Sequence, residues 1–99
     1  MDIETVLKRR FEDAIRSSLP QCPLIGPKWF RYEPESRPPV FRFLAMNKLV
    51  KATGMRRDRL TQKVLGNLDM RGVNGRAQVS RKGDIYVALG QRQGDEASR

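Results

Sequence analysis

The chain has 99 residues, a formal net charge of +9 and 38% hydrophobic residues. A chain of this length forms one hydrophobic core and has no room for a second domain. It has no His and a single Cys, so the usual zinc sites and an internal disulfide cannot be built. Its apolar stretches are far shorter than the ~20 residues that span a bilayer, and the N-terminus lacks the features of a signal peptide. We therefore expect one basic cytoplasmic domain without metal, cofactor or membrane contact.

The first third of the chain predicts a helix followed by a strand. Asp2 is a suitable N-cap, and apolar residues recur at spacings of three and four over Ile3 to Ser18. Prolines at positions 20 and 23 end this helix, because proline lacks a backbone N–H and disfavours helix in the residue before it. Lys28 to Glu33 alternate as a strand does, and the Pro-rich segment 34–39 predicts a turn or exposed loop.

The remainder predicts two helices and a hairpin. Helical periodicity runs from about Arg42 to Thr53, where Gly54 is a typical terminator, and again from about Arg57 to Leu68. Ala77 to Ser80 and Ile85 to Leu89 read as two strands joined by a tight turn, and residues 90–99 as a disordered tail. The predicted fold is α+β, with three helices on one face of a small antiparallel sheet in the order α-β-α-α-β-β. The expected core includes Val6, Phe11, Ile15, Leu49, Leu60, Val64, Leu68 and Val87.

The positive charge is concentrated in the second half of the domain. Residues 40–89 contain eleven Lys or Arg against three Asp or Glu, whereas residues 1–39 contain seven against six. Such an excess costs self-repulsion, which a phosphate backbone relieves through counterion release, so it favours binding to a polyanion over simple solvation of the surface. In this interpretation the second helix contributes Arg42 together with two lysines. The candidate binding residues are Phe41, Arg42, Lys48, Lys51, Arg56, Arg57, Arg59, Lys63, Arg76, Arg81 and Lys82.

Aromatic side chains are available to stack on unpaired bases. A domain of this size also needs bulky residues to close its interior, so most of them are expected in the core. The aromatic residues in question are Trp29, Phe30, Tyr32, Phe41, Phe43 and Tyr86.

Three segments resemble the N-terminal additional domain of arginyl-tRNA synthetases. The first comprises residues 1–19, which begin Met-Asp-Ile-Glu-Thr-Val-Leu-Lys-Arg-Arg-Phe. The second runs from Leu-Ala-Met-Asn-Lys-Leu-Val-Lys-Ala-Thr-Gly-Met at 44–55 through Leu-Thr-Gln-Lys-Val-Leu at 60–65 to Leu-Asp-Met-Arg-Gly at 68–72. The third, Gly-Asp-Ile-Tyr-Val-Ala-Leu at 83–89, is similar to the closing strand of that domain, Gly-Phe-Ile-Asn-Ile. The resemblance extends over residues 1–89 and implies a non-catalytic module that contacts the D-loop of tRNA.

The segment that supplies the D-loop contacts in that family departs from the family pattern. Gly-Asp-Tyr-Gln-x-Asn is replaced here by Pro-Val-Phe-Arg-Phe-Leu at residues 39–44, and the Asn of the closing strand is replaced by Tyr86. Phe41 keeps the aromatic position, whereas Leu44 cannot make the hydrogen bonds of an Asn. Either the RNA contact has moved to basic residues, or the domain has taken another partner.

Two other functions remain open alongside RNA binding. The second and third helices and the hairpin also satisfy a winged-helix outline, in which Arg56, Arg57, Arg59 and Lys63 would enter a DNA major groove. The second alternative is a protein-interaction module that docks on a synthetase or a ribosome-associated partner. An enzyme is the least favoured class, because only scattered carboxylates such as Glu12, Asp13 and Asp84 are available for acid–base chemistry.

Overall fold

The computed structural model describes residues 2–19 and 26–90. Two sequence predictions lie outside these residues: the prolines at positions 20 and 23 that end the first helix, and the disordered tail, of which only Gly90 is described.

Helix α1 spans Ile3–Ser18 and begins at the predicted N-cap. A carboxylate oxygen of Asp2 accepts a hydrogen bond of 3.0 Å from the Thr5 amide, which satisfies one of the free N–H groups of the first turn. This hydrogen bond lowers the pKa of the Asp2 carboxyl. One side of the helix is buried, with Leu7, Phe11 and Ile15 fully excluded from solvent.

A four-stranded antiparallel sheet forms the second layer. Its strands are β1 (Phe30–Glu33), β2 (Val40–Phe43), β3 (Gly75–Val79) and β4 (Ile85–Leu89), arranged in the order β1-β2-β4-β3. Two further helices complete the fold, α2 over Met46–Thr53 and α3 over Arg57–Asn67. The predicted α+β class, with three helices and a small antiparallel sheet, is confirmed.

The predicted start of the second helix is wrong, because Val40–Phe43 form strand β2 and α2 begins only at Met46. Arg42 is therefore a strand residue. The segment fits both periods, because Phe41 and Phe43 stand two residues apart on either side of the polar Arg42, while Phe43 also stands at helical spacing from Met46. The segment forms a strand because it pairs with β1 on one side and with β4 on the other.

The core lies between the helices and one face of the sheet. Because successive strand residues point to opposite faces, Phe30, Phe41 and Phe43 meet the helices. The Phe11 ring lies 5.5–6.0 Å from these three rings, in the range of favourable aromatic pairs. Helix α2 contributes Met46 and Leu49 to the same core, and helix α3 contributes Leu60 and Val64. Six of the eight predicted core residues are fully buried, and Val6 and Leu68 are partly buried.

Polar contacts fix α1 against α3 and the loop after it. The Ser18 hydroxyl donates to the carbonyl oxygens of Ala14 and Lys63, and it accepts from the Asn67 amide. At the middle of α1, Arg10 donates to the carbonyl oxygen of Asp69 at 2.6 Å. Within the described residues, no helix combines the length and the apolar character needed to cross a membrane.

Candidate nucleic-acid interface

The face of the sheet opposite the helices, here called the open face, presents polar and basic side chains. Strand register aligns Arg31, Arg42, Tyr86 and Gln78 in one row across all four strands. Arg31, Arg42 and Tyr86 each follow or precede a residue that faces the core, so they point to the opposite face. Gln78 is paired with Tyr86 and points to the same face as Tyr86. A row of polar side chains across four strands suits contact with an extended ligand.

Two polar contacts and an aromatic ring hold the middle of this row. The Arg42 guanidinium carbon lies 6.0 Å from the centroid of the Tyr86 ring, at the outer range of a cation–π interaction. The Arg42 Nε donates to a carboxylate oxygen of Glu33 at 3.1 Å, and the Tyr86 hydroxyl donates to the Gln78 Oε1 at 3.1 Å. The guanidinium keeps further N–H donors for a ligand, because a guanidinium carries five in total.

A pocket of about 380 Å³ opens where this row meets the turn between β3 and β4. It is called the hairpin pocket, and its lining residues are Arg42, Leu44, Ser80, Arg81, Lys82, Asp84, Ile85 and Tyr86. Arg81 and Lys82 are exposed on the turn, and Leu44 is 44% exposed, one of the few large apolar side chains in the described residues that solvent reaches. Cations, an aromatic ring and an apolar side chain thus converge on one concave site.

The start of α3 lies directly beside the hairpin turn. The Arg57 Nη1 is 3.4 Å from both the Gly83 carbonyl oxygen and the Asp84 Oδ1. Arg57 therefore supports the turn and has part of its charge compensated. Among the described residues, the one ion-pair partner of Arg56 is Asp58, and an exposed pair of this kind adds little stability and is easily exchanged for another anion.

The predicted binding residues are divided between two sides of the molecule. Arg42 and Arg76 belong to the open face, and Arg81 and Lys82 to the turn at its end. Four others are exposed on the helices: Lys48 and Lys51 on α2, and Arg59 and Lys63 on α3. The structure thus brings Arg42, Arg81 and Lys82 together at the hairpin pocket and leaves the four helical residues on the other layer.

Phe41, predicted as a residue that stacks on a base, is a core residue. Its side chain is 0% exposed and packs against Phe11 and Phe30. No base can reach it without unfolding of the sheet. The expectation that most aromatic residues belong to the core holds for Phe41 as it does for Phe43.

Arg71 contributes little to the positive surface, because Asp69 compensates its charge. The Arg71 Nε and Nη2 donate to the two carboxylate oxygens of Asp69 at 3.0 Å each. These hydrogen bonds, with Arg10 nearby, hold the pKa of the Asp69 carboxyl far below its usual range.

Tyr86 and Leu44 line the hairpin pocket but were not among the predicted binding residues, although Tyr86 was among the aromatic residues available for stacking. The available signal was alternation in β4: Ile85, Val87 and Leu89 face the core, so Tyr86 faces away from it. The position of Leu44 depends on where β2 ends, and that boundary is not visible in the sequence.

Comparison of the chain with models of known protein families, with curated proteins and with solved structures gave no match. The geometry and the chemistry of the site are therefore the basis for a proposed function.

Proposed function

We propose that this domain is a non-catalytic RNA-binding module whose ligand is tRNA and whose place of action is the cytoplasm. The observation that carries the proposal is the convergence of Arg42, Arg81, Lys82 and Tyr86 on the hairpin pocket. Recognition of RNA loops combines phosphate contacts with stacking of an unpaired base on an aromatic ring or a guanidinium, and this pocket offers both.

In the proposed complex the residues of the pocket contact different parts of the RNA. Arg81 and Lys82 neutralise backbone phosphates, since they are exposed and belong to no ion pair among the described residues. Tyr86 and Leu44 present aromatic and apolar surface to one unpaired base. Arg42 supplies hydrogen-bond donors to that base or to its phosphate, and Glu33 fixes the orientation of its guanidinium.

The resemblance to the synthetase domain supports the same location by an independent route. The residues that replace the Gln and Asn of the family's contact segment are Arg42 and Leu44, and Tyr86 replaces the Asn of the closing strand. All three line the hairpin pocket. On this proposal the site keeps its position, while amide hydrogen bonds to the D-loop give way to charge and stacking.

Charge reversal at the hairpin turn tests the proposal. The double variant Arg81→Glu, Lys82→Glu should bind fluorescently labelled tRNA at least about tenfold more weakly than the wild type, because two phosphate contacts become repulsive. The matched control is Arg9→Glu, Arg16→Glu, which changes the net charge equally at two exposed positions of α1. We expect this control to lose only about twofold in affinity, as screened long-range attraction allows. Equal losses in both variants would show that attraction is spread over the whole domain and would remove the pocket from the proposal.

A second candidate function has its own supporting observation. Helices α2 and α3 are followed by the hairpin β3–β4, and β2 pairs with β4 to form a sheet beside them, as in a winged-helix domain. In that case α3 would enter a DNA major groove with Arg59 and Lys63, and the turn at Arg81 would contact the backbone. RNA is preferred because Tyr86 and Arg42 lie on the open face, which a groove-bound α3 would leave unused.

A further inference from the structure

Strand β3 lies at one edge of the sheet, with β4 as its partner in the described residues. The Ser80 amide donates to the Asp84 carbonyl oxygen, and the Gly90 amide donates to the Asn74 carbonyl oxygen. In an antiparallel pair, hydrogen-bonded positions alternate, so Arg76 and Gln78 also point their backbone groups toward β4. The N–H and C=O groups of Ala77 and Val79 consequently point away from the sheet.

A groove of about 210 Å³ runs between this edge and helix α3. It is called the edge groove, and it is lined by Arg57, Asp58, Thr61, Gln62, Val79 and Gly83. The Val79 side chain points to the helical side of the sheet and is nevertheless 40% exposed. A free strand edge beside a helix is the geometry in which extended peptides add to a sheet.

Thr61 gives independent evidence that the edge groove is an incomplete site. Its side chain is 3% exposed, and its hydroxyl oxygen has no hydrogen-bond partner within the described part of the chain. Buried hydroxyls in folded proteins are almost always paired, and an unpaired one costs stability. Thr61 is one of the residues that line the edge groove, so this unpaired hydroxyl belongs to the wall of the groove.

We propose that the edge groove binds an extended segment of a partner protein, which adds to β3 as a fifth strand. One apolar side chain of the segment covers Val79 next to Thr61, and acidic side chains flank it. The lining itself carries no excess positive charge, because Asp58 stands beside Arg57, and Arg57 is paired with Asp84. The acidic character follows instead from Arg81 and Lys82, which are exposed on the adjoining turn, and from the strongly basic domain as a whole. The net charge of +9 disfavours a second copy of this chain at the same edge, since two strongly basic domains repel each other.

This site shares the turn residues Arg81 and Lys82 with the proposed RNA site, but its other residues differ. The edge groove lies on the helical side of the sheet, whereas Arg42 and Tyr86 face the opposite side. Ala77→Pro therefore tests peptide binding and Tyr86→Ala tests tRNA binding, whereas charge reversal of Arg81 and Lys82 should weaken both.

The test uses a labelled ten-residue peptide of alternating Glu and Val. Its matched control is the same peptide with N-methyl groups on alternate residues, in the frame that faces β3, so that charge and side chains stay while main-chain donors are lost. We expect the control to bind about tenfold more weakly, as the loss of one or two hydrogen bonds gives. Hydrogen exchange followed by NMR should show the amides of Ala77 and Val79 protected only when the unmodified peptide is bound.

Two protein variants complete the test. Ala77→Pro removes an outward N–H and leaves the β3–β4 ladder intact, since proline is tolerated at sheet edges whose N–H faces solvent. It should bind the peptide about tenfold more weakly, whereas Ala77→Ser, which keeps the N–H, should bind as the wild type does. Val79→Ser covers the case in which the proline variant fails to fold, and it should also weaken binding.

Several results would overturn this inference. Equal affinity for the two peptides would reduce the interaction to general charge attraction. Protection of Ala77 and Val79 that rises with protein concentration in the absence of peptide would assign the edge to a second copy. Protection by tRNA would assign it to RNA.

Discussion

At the residue scale, strand alternation separates two aromatic side chains that the sequence presents as equivalent. Phe41 and Tyr86 lie on the paired strands β2 and β4, and Phe41 is directly opposite Val87, the neighbour of Tyr86. A shift of one residue reverses the face, so Phe41 enters the core while Tyr86 reaches the open face. One aromatic residue therefore stabilises the fold, and the other is free to meet a ligand.

Phe41→Ala and Tyr86→Ala should consequently have opposite effects. The first removes a fully buried ring and should lower the free energy of unfolding by about 3–5 kcal/mol. The second should leave stability nearly unchanged but weaken tRNA binding by about 1–3 kcal/mol, the usual value of one stacked base. Chemical denaturation and fluorescence anisotropy measure the two quantities.

Tyr86→Phe is the control for this pair, because it keeps the ring and removes only the hydrogen bond to Gln78. We expect it to bind tRNA almost as the wild type does. Phe41→Leu keeps much of the core volume and serves where Phe41→Ala does not fold. Wild-type affinity in Tyr86→Ala would remove stacking from the proposed mechanism.

At the element scale, the relative importance of α3 and the hairpin turn distinguishes the two nucleic-acid functions. Arg59 and Lys63 stand one turn apart on the exposed side of α3, and neither side chain forms an ion pair with a described residue. Arg59→Glu, Lys63→Glu changes the net charge by the same amount as reversal of Arg81 and Lys82. The two variants therefore differ only in where the charge is changed.

For RNA binding at the hairpin pocket, the α3 variant should keep most of its tRNA affinity and the turn variant should lose it. A winged-helix domain requires the reverse order, because its α3 carries the base contacts and its turn only touches the backbone. Both variants should retain wild-type circular dichroism and thermal stability, because none of the four side chains enters the core. A larger loss in the α3 variant would contradict the RNA proposal.

The elements themselves were largely predictable, and the exception is instructive. Local signals fixed α1: an N-cap, a regular apolar period and two prolines beyond its end. Strand β2 was not predictable, because its four residues satisfy a helical period together with the start of α2. Only its place between β1 and β4 decides its structure.

The candidate site was less predictable than the fold, for a related reason. Arg42 was a candidate on charge alone, but its meeting with Tyr86 depends on the register between β2 and β4. Residues 42 and 86 are 44 positions apart in the sequence, and pairing of β2 with β4 places them side by side. Charge density predicts what a surface binds, and strand register determines where.

At the scale of the whole molecule, the distribution of charge should set how the proposed RNA binding depends on salt. Basic residues lie on both layers, so any polyanion is attracted, and this attraction alone does not identify the ligand. The proposed source of discrimination between RNA and DNA is the open face, because Tyr86 and Arg42 suit unstacked bases. An affinity measured at a single low salt concentration would report only the first contribution.

The last prediction therefore compares tRNA with a DNA duplex of similar length over a range of salt concentrations. If about six phosphates are neutralised, log K for tRNA should fall against log salt with a slope of roughly −4 to −5. At ~150 mM salt, where attraction without specific contacts is weak, we expect tRNA to bind at least about fivefold more tightly than the duplex, or ~1 kcal/mol. The reason is that a folded RNA offers 2′-hydroxyl groups and unstacked loop bases, which B-form DNA lacks. Tyr86→Ala should abolish this preference while it leaves the slope unchanged, because a ring contributes to stacking and carries no charge. Equal or tighter binding to the duplex would favour the winged-helix function. Absence of binding to either nucleic acid would leave the protein-interaction function, with the edge groove as its proposed surface.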